Sequence, residues 1–307
     1  MDIRVHLQGI IYLICGLTLL GGLAGAQKSE AETYYVATDG RDLNPGTEER
    51  PFQTLGRGVR DLGPGDILLV KNGTYNGGEL TYTPSGASWG SPVTIKAYGG
   101  HSPAIGYLYF DRSSYIVIDG FVIDGIKITW GGGVADHIRI RNSDISPRGI
   151  FVTEGSDGNE FIHLQVHHTD GHGIYLAGSS GNTIEDCSIY DNTGLGVHAW
   201  HSTGTGVNRN IITDNIISNN GGGGILLSTG SGNEASHNDI GGNNGIGIRV
   251  DYGASDTYVG YNTIHGNSYG GIFIGASCSD TRVESNNIYD TDWRALIDEG
   301  ISTSTLP

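Results

Sequence analysis

Residues 215–250 read NIISNNGGGGILLSTGSGNEASHNDIGGNNGIGIRV, and the stretch contains its own near-copy: Asn215-Ile216-Ile217 returns as Asn238-Asp239-Ile240, and Gly224-Ile225 as Gly247-Ile248. Working outward, Gly-Ile or a near equivalent stands at 149–150, 173–174, 196–197, 224–225, 247–248 and 271–272, at intervals of 24, 23, 28, 23 and 24 residues. A second marker keeps step eight residues upstream of the first: Val166, Ile189, Ile217, Ile240, Ile264 and Ile288 precede Ile174, Val197, Ile225, Ile248, Ile272 and Leu296. Two in-phase markers at a fixed period are the signature of a solenoid, in which each repeat buries its apolar side only by stacking on its neighbours.

The residue types decide which solenoid. Helical repeats need runs of helix formers, whereas this chain has 52 Gly, a single Met and short β-branched clusters. Segments such as Ile138-Arg139-Ile140, Gly173-Ile174-Tyr175-Leu176 and Ile246-Gly247-Ile248-Arg249-Val250 alternate apolar and polar residues with period two, as half-buried strands do. Between them lie Asn, Gly, Ser and Asp clusters that supply turns. Three short strands and three turns per unit predict an all-β chain, a single-stranded right-handed parallel β-helix of about 9–10 coils, with an N-terminal capping helix. Asn215, Asn238, Asn262 and Asn286 each sit two residues before a marker Ile and are expected to stack along the axis, with Cys187 in the same place one coil earlier.

Residues 1–26 read as a secretory signal peptide: Arg4, an apolar run from Ile10 to Leu20, then Ala24-Gly25-Ala26 before Gln27. Residues 27–76 form an N-terminal strand and cap, with a short amphipathic helix over 54–62 sealing the open end, and residues 77–307 form the β-helix. The secreted product (extracellular or periplasmic) is expected to be a monomer with no membrane insertion. Cys187 and Cys278 lie four coils apart, roughly 19 Å at strand spacing, so no disulfide is expected between them. A formal net charge of −16 argues against nucleic acid and anionic membranes as partners. It also means that an acidic sugar polymer needs a local basic patch or a bound cation.

Residues 34–76 run through Tyr34-Tyr35-Val36-Ala37-Thr38-Asp39-Gly40, Asn44-Pro45-Gly46-Thr47, Pro51-Phe52-Gln53-Thr54-Leu55, Pro64-Gly65-Asp66 and Asn72-Gly73-Thr74-Tyr75. This segment closely resembles the opening module of secreted pectate-lyase-like β-helix proteins, and the resemblance continues through Asp119-Gly120-Phe121 and the coils. It implies carbohydrate chemistry without naming the reaction, because that superfamily includes polysaccharide lyases, uronate epimerases, hydrolases and proteins without known activity.

Chemistry on such a fold must come from outward-facing side chains. The residue after each marker gives an outward column Phe151, Tyr175, His198, Leu226, Arg249 and Phe273; two residues further on come Thr153, Ala177, Trp200, Ser228, Asp251 and Gly275, and Arg148 and His172 precede the Gly. A lyase or epimerase needs a base for the proton beside the carboxylate, neutralisation of that carboxylate, and an acid. Tyr175 and His198 are the expected acid–base pair, with His172 as substitute base. Arg148 and Arg249 would hold the carboxylate, Trp200 would stack on a sugar ring, and His201 and Asp251 would line the substrate path. The 28-residue coil places its extra residues within His198–Arg209, beside the same stripe. The pairing of Tyr175 with His198 looks like that of some alginate-acting enzymes, so the expected substrate is an acidic polysaccharide or oligosaccharide such as alginate or pectate. The alternative lyase arrangement uses Lys or Arg with calcium; calcium is possible, but no tight Asp/Glu cluster adjoins Lys71, Lys96 or Lys127.

Two other readings remain. Gly171-His172-Gly173 is similar to an element of polygalacturonase-type hydrolases, but the clustered aspartates that glycosidic hydrolysis would need are missing from the preceding coil, leaving only Glu154 and Asp251 as carboxylates. A non-catalytic glycan-binding or envelope protein would use the coils as scaffold alone. His163, His167 and His168 near Asp170 read as turn residues rather than a zinc site, and Asp119, Asp124 and Asp136 as turn residues beside Gly.

Overall fold

A computed structural model describes residues 30–129, 132–153, 155–201, 206–291, 294–301 and 303–306. The predicted leader over 1–26 therefore lies outside the described residues, as does Glu154. Among the described residues no helix is long and apolar enough to cross a membrane.

From residue 31 onward the described residues wind into a right-handed parallel β-solenoid of about nine turns. Three parallel sheets run its length. A twelve-stranded sheet extends from Thr33–Val36 to Ser304–Leu306, a ten-stranded sheet from Thr74–Tyr75 to Asn287–Tyr289, and a nine-stranded sheet from Leu108–Phe110 to Leu296–Asp298. The two sequence markers are two of the core columns. Val166, Ile189, Ile217, Ile240, Ile264 and Ile288 pair in register on the ten-stranded sheet. Ile174, Val197, Ile225, Ile248, Ile272 and Leu296 do so on the nine-stranded sheet. Short strands suffice because every inward Ile or Val touches its equivalents one coil above and below; most of these side chains are fully buried.

The corners are held by asparagine, and there are three such ladders where the sequence reading found one. Asn215, Asn238, Asn262 and Asn286 form the expected column. Asn159, Asn182, Asn210 and Asn233 form a second, and Asn192, Asn220, Asn243 and Asn267 a third. In each, the amide oxygen accepts both the backbone N–H and the side-chain N–H of the Asn one coil earlier, at 2.9–3.1 Å for the Asn215–Asn238 step. The residue before the Asn turns the corner in the left-handed region, as do Asp214 (φ 59°), His237 (57°), Tyr261 (57°) and Ser285 (53°). That conformation costs a non-glycine residue about 1 kcal/mol, which the ladder bonds offset. Cys187 starts the first ladder, its backbone N–H donating to Asn215 at 2.9 Å while its thiol reaches the Phe161 carbonyl. Both Cys187 and Cys278 are buried free thiols.

The one α-helix among the described residues is Leu55–Val59, shorter than the expected 54–62. Thr54 accepts the Arg57 N–H at its start, and Leu55 and Val59 are buried. Gly58 passes so close to Val36 and Leu68 that a Cβ would lie 2.8 Å from their methyl groups. Asp119, expected in a turn, instead ends a strand, buried and bound by Arg141 at 2.9 Å and Lys96 at 3.6 Å. Asp136 likewise opens a strand rather than lying in a turn.

Candidate functional site

The outward column on the nine-stranded sheet is continuous. Register places Tyr109, Lys127, Phe151, Tyr175, His198, Leu226, Arg249, Phe273 and Ile297 on successive strands. Tyr175 and His198 are half-buried on one face, while their strand neighbours Ile174, Leu176, Val197 and Ala199 point inward and are fully buried. The pair is stacked, ring centroids 4.6 Å apart and planes 9° from parallel. Phe151 extends the stack on one side at 5.1 Å, and Trp200 on the other at 6.0 Å. Lys127 lies 5.1 Å over Phe151. It was missed as a site residue because the column was read from Gly149-Ile150 onward, although Gly125-Ile126 marks one further coil, 24 residues upstream.

His172 sits behind His198, and its bonds fix the protons of both rings. The Leu195 backbone N–H donates to His172 Nδ1 at 3.0 Å, so that nitrogen is bare. The proton of neutral His172 is therefore on Nε2, which lies 3.0 Å from His198 Nδ1 and donates to it. Neutral His198 then carries its proton on Nε2. Protonating His198 at Nδ1 would set two N–H groups against each other. Burial, and secondarily His172, hold the His198 imidazole down at about 4; burial also lowers His172 and raises the Tyr175 phenol above its ordinary value. At neutral pH the site presents two proton donors, a phenol O–H and an imidazole N–H. Both His172 nitrogens are engaged within the protein, so this geometry does not offer the ring as the substitute base expected of it. No protein group among the described residues hydrogen-bonds the Tyr175 phenol.

The remaining site residues fall on either side. Arg148 is exposed at the turn before Ile150–Val152, its guanidinium 5.6 Å over Tyr107. Arg249 lies two strands from His198, with Leu226 between them. Its guanidinium binds Asp251 on the same strand, Nε to Oδ2 at 2.9 Å, and lies 5.3 Å from both the Tyr252 and Phe273 rings. Asp251 also accepts the Tyr252 N–H at 2.7 Å. The Arg249 half of the expected carboxylate clamp is thus already paired, and Asp251 is not a free acid. Glu154, the other carboxylate of the hydrolase reading, has no described geometry. His201 donates its backbone N–H to Thr229 at 3.2 Å and packs over Gly178, on the rim beside Trp200. Ser228 is buried, bonded to the Ala199 carbonyl, and drops out of the outward column. His167 is held by Asp144 at 3.0 Å and stacks on Tyr190. Among the described residues no group of three or more His, Cys, Asp and Glu side chains is placed to hold a metal ion.

Parallel coils that leave one outer sheet face carrying stacked aromatic, imidazole and cationic groups define the class of this protein. The chain belongs to the right-handed β-helix family: residues 148–305 match the right handed beta helix region, and residues 34–208 match its Pel9A-like form. It is 26% identical over 215 residues to the uncharacterized protein YwoF of Bacillus subtilis (strain 168), covering 66% of this chain and 44% of that one. It is 20% identical over 230 residues to pectate lyase L of Dickeya dadantii (strain 3937), covering 64% and 53%. The chain thus spans about half the length of these curated relatives. Among solved structures, pectate lyase Pel9A superposes with a TM-score of 0.59 at 16% identity, covering 86% of this chain and 79% of that one, a likeness of fold.

Proposed function

We propose that this is a secreted, monomeric carbohydrate-active protein that cleaves or epimerises an acidic polysaccharide by removing the proton beside a uronate carboxylate. The observation that carries the reading is the in-register Tyr175–His198 stack on an outer face whose nearby cations are Lys127 and Arg148. On a chain of net charge −16, such a local patch is what a polyanionic sugar would require. The relative named pectate lyase L supports the same substrate class. In this reading the helix Leu55–Val59 closes the N-terminal end of the solenoid.

His198 would donate Nε2–H to the substrate carboxylate and stabilise the charge that builds there. Arg148 and Lys127 would add cationic stabilisation. Tyr175, once ionised, would take the α-proton. The released electron pair forms the C=C bond as the glycosidic C–O bond breaks, and the leaving oxygen receives the proton from Tyr175. Trp200 offers an aromatic face to a neighbouring ring. Because the resting site holds no free base, the phenol must ionise first, and burial opposes that. The same lack of a base favours the second reading, a module that only binds glycans.

The test is incubation with pectate and alginate while following the ultraviolet absorbance of unsaturated uronate. Elimination gives the signal and Tyr175→Phe lowers it at least about a hundredfold; epimerisation gives no absorbance but a changed uronate composition. Neither change in the unaltered protein would refute catalysis on these substrates.

A further inference from the structure

The groove changes character on the far side of His198. There a cleft of about 430 Å³ opens over the backbone of Gly222 and Gly245, walled by Leu195, Leu226, Ile246 and Tyr269 and rimmed by Asn244 and Arg249. It is continuous with the candidate site: Leu226 is the register neighbour of His198, and the Leu195 N–H is the group that fixes His172. Its one cation, Arg249, has its charge met by Asp251. A second uronate here would lose water against leucine and isoleucine with no uncommitted positive charge to receive it. The Asn244 side chain is exposed and makes no hydrogen bond to the described protein, so it is available to a ligand. On the opposite side of Tyr175, by contrast, stand Lys127 and Arg148.

From this asymmetry we infer that the cleft is a specificity pocket for an acetyl group on the sugar next to the uronate that Tyr175 and His198 engage. The methyl group enters between Leu195, Leu226 and Ile246, the acetyl carbonyl accepts from the Asn244 amide, and Tyr269 closes the cleft over the acetyl group. The inference rests on the reading of this face as a uronate-binding groove. Two kinds of glycan carry the same chemistry, an O-acetylated polyuronate and a copolymer of uronate with an N-acetylated amino sugar.

Calorimetric binding to the full chain separates them. One arm compares oligogalacturonate with its chemically O-acetylated form; the other compares oligomers alternating glucuronate and N-acetylglucosamine with their N-formyl analogues, which lack only the methyl group. An acetyl preference of about tenfold in the first arm, the order expected of one buried methyl and one hydrogen bond, or of about fourfold in the second, the order of one buried methyl alone, supports the pocket and names the source. Tyr269 is 58% exposed, so Tyr269→Ala should fold. That variant and Asn244→Ala should each cut the preference severalfold and leave affinity for unacetylated oligogalacturonate unchanged. Equal affinities within both arms, or equal weakening of acetylated and unacetylated ligands by Tyr269→Ala, would overturn it. Acetyl preference without uronate chemistry leaves the pocket standing and removes the catalytic reading; turnover without preference does the reverse. No binding of any of the four ligands removes both.

Discussion

The protonation of His198 follows from one backbone bond, Leu195 N–H to His172 Nδ1, and it can be measured directly. A histidine's ordinary 6.5 falls to about 4 for this ring. At about 1.4 kcal/mol per unit, charging it in the folded protein costs about 3 kcal/mol, or about 2–3 kcal/mol once its partial contact with solvent is allowed for. Because the folded value lies below the unfolded one, the unfolded chain takes up the proton first as pH falls. The contribution of His198 to stability is therefore intact above pH 6.5 and lost progressively as pH drops towards about 4. His172 is shifted in the same direction and adds to the loss. Imidazole resonances followed by NMR from about pH 8 to pH 4.5 should show His198 still largely neutral at the acid end, with its proton on Nε2. Between about pH 7.5 and pH 4.5, the unaltered protein should lose about 2–3 kcal/mol more unfolding free energy in urea than His198→Phe, which keeps the stacked ring but has nothing to titrate. A His198 midpoint near 6.5, a proton found on Nδ1, or identical acid sensitivity of the two proteins would refute the relay.

Catalysis should rise with pH, since the Tyr175 phenol is pushed above its ordinary 10; kcat/KM for uronate conversion should climb about tenfold per pH unit between about pH 7 and pH 9, and a bell centred near 6 would exclude the phenolate role. Asn238→Ala removes the acceptor of the Asn215 backbone and side-chain N–H groups and the donor to the Ile212 carbonyl. Its urea unfolding should show a loss of about 2–5 kcal/mol, and a loss below about 1 kcal/mol would mean the ladders are not structural ties. Asp251→Asn takes the matching charge from Arg249, so affinity for unacetylated polyuronate should rise severalfold in calorimetry at low salt and the gain should fade as salt is added; unchanged affinity would mean that Arg249 lies out of reach of the glycan.

The sequence carried the register unusually well, for a physical reason. In a solenoid each coil has the same partners at the same distance along the chain, so the spacing of Ile217 and Ile240 is itself the pairing rule. The outward column followed, and with it the Tyr175–His198 juxtaposition. The Asn ladders at the other two corners keep the same spacing, but of their eight members only Asn182 and Asn210 stand two residues before an Ile, and one ladder passes into Thr257 and Thr281. The Arg249–Asp251 pair was legible in principle, since residues two apart on a strand share a face. The hydrogen bond from Leu195 to His172 was not. It depends on how a turn presents one amide to a ring on the previous coil, and no periodicity encodes that.

The 28-residue coil has a consequence for how such a groove could be retuned. Its additional residues fall between Trp200 and Asn210, yet Asn182 still meets Asn210, Asn192 still meets Asn220, and Cys187 still meets Asn215. All three corner seams run past the insertion without a dropped stitch. Added length between Trp200 and Asn210 is therefore accommodated with the corner ladders intact. Variation in substrate preference should accumulate there, or be grafted there by design, before it reaches the rungs themselves.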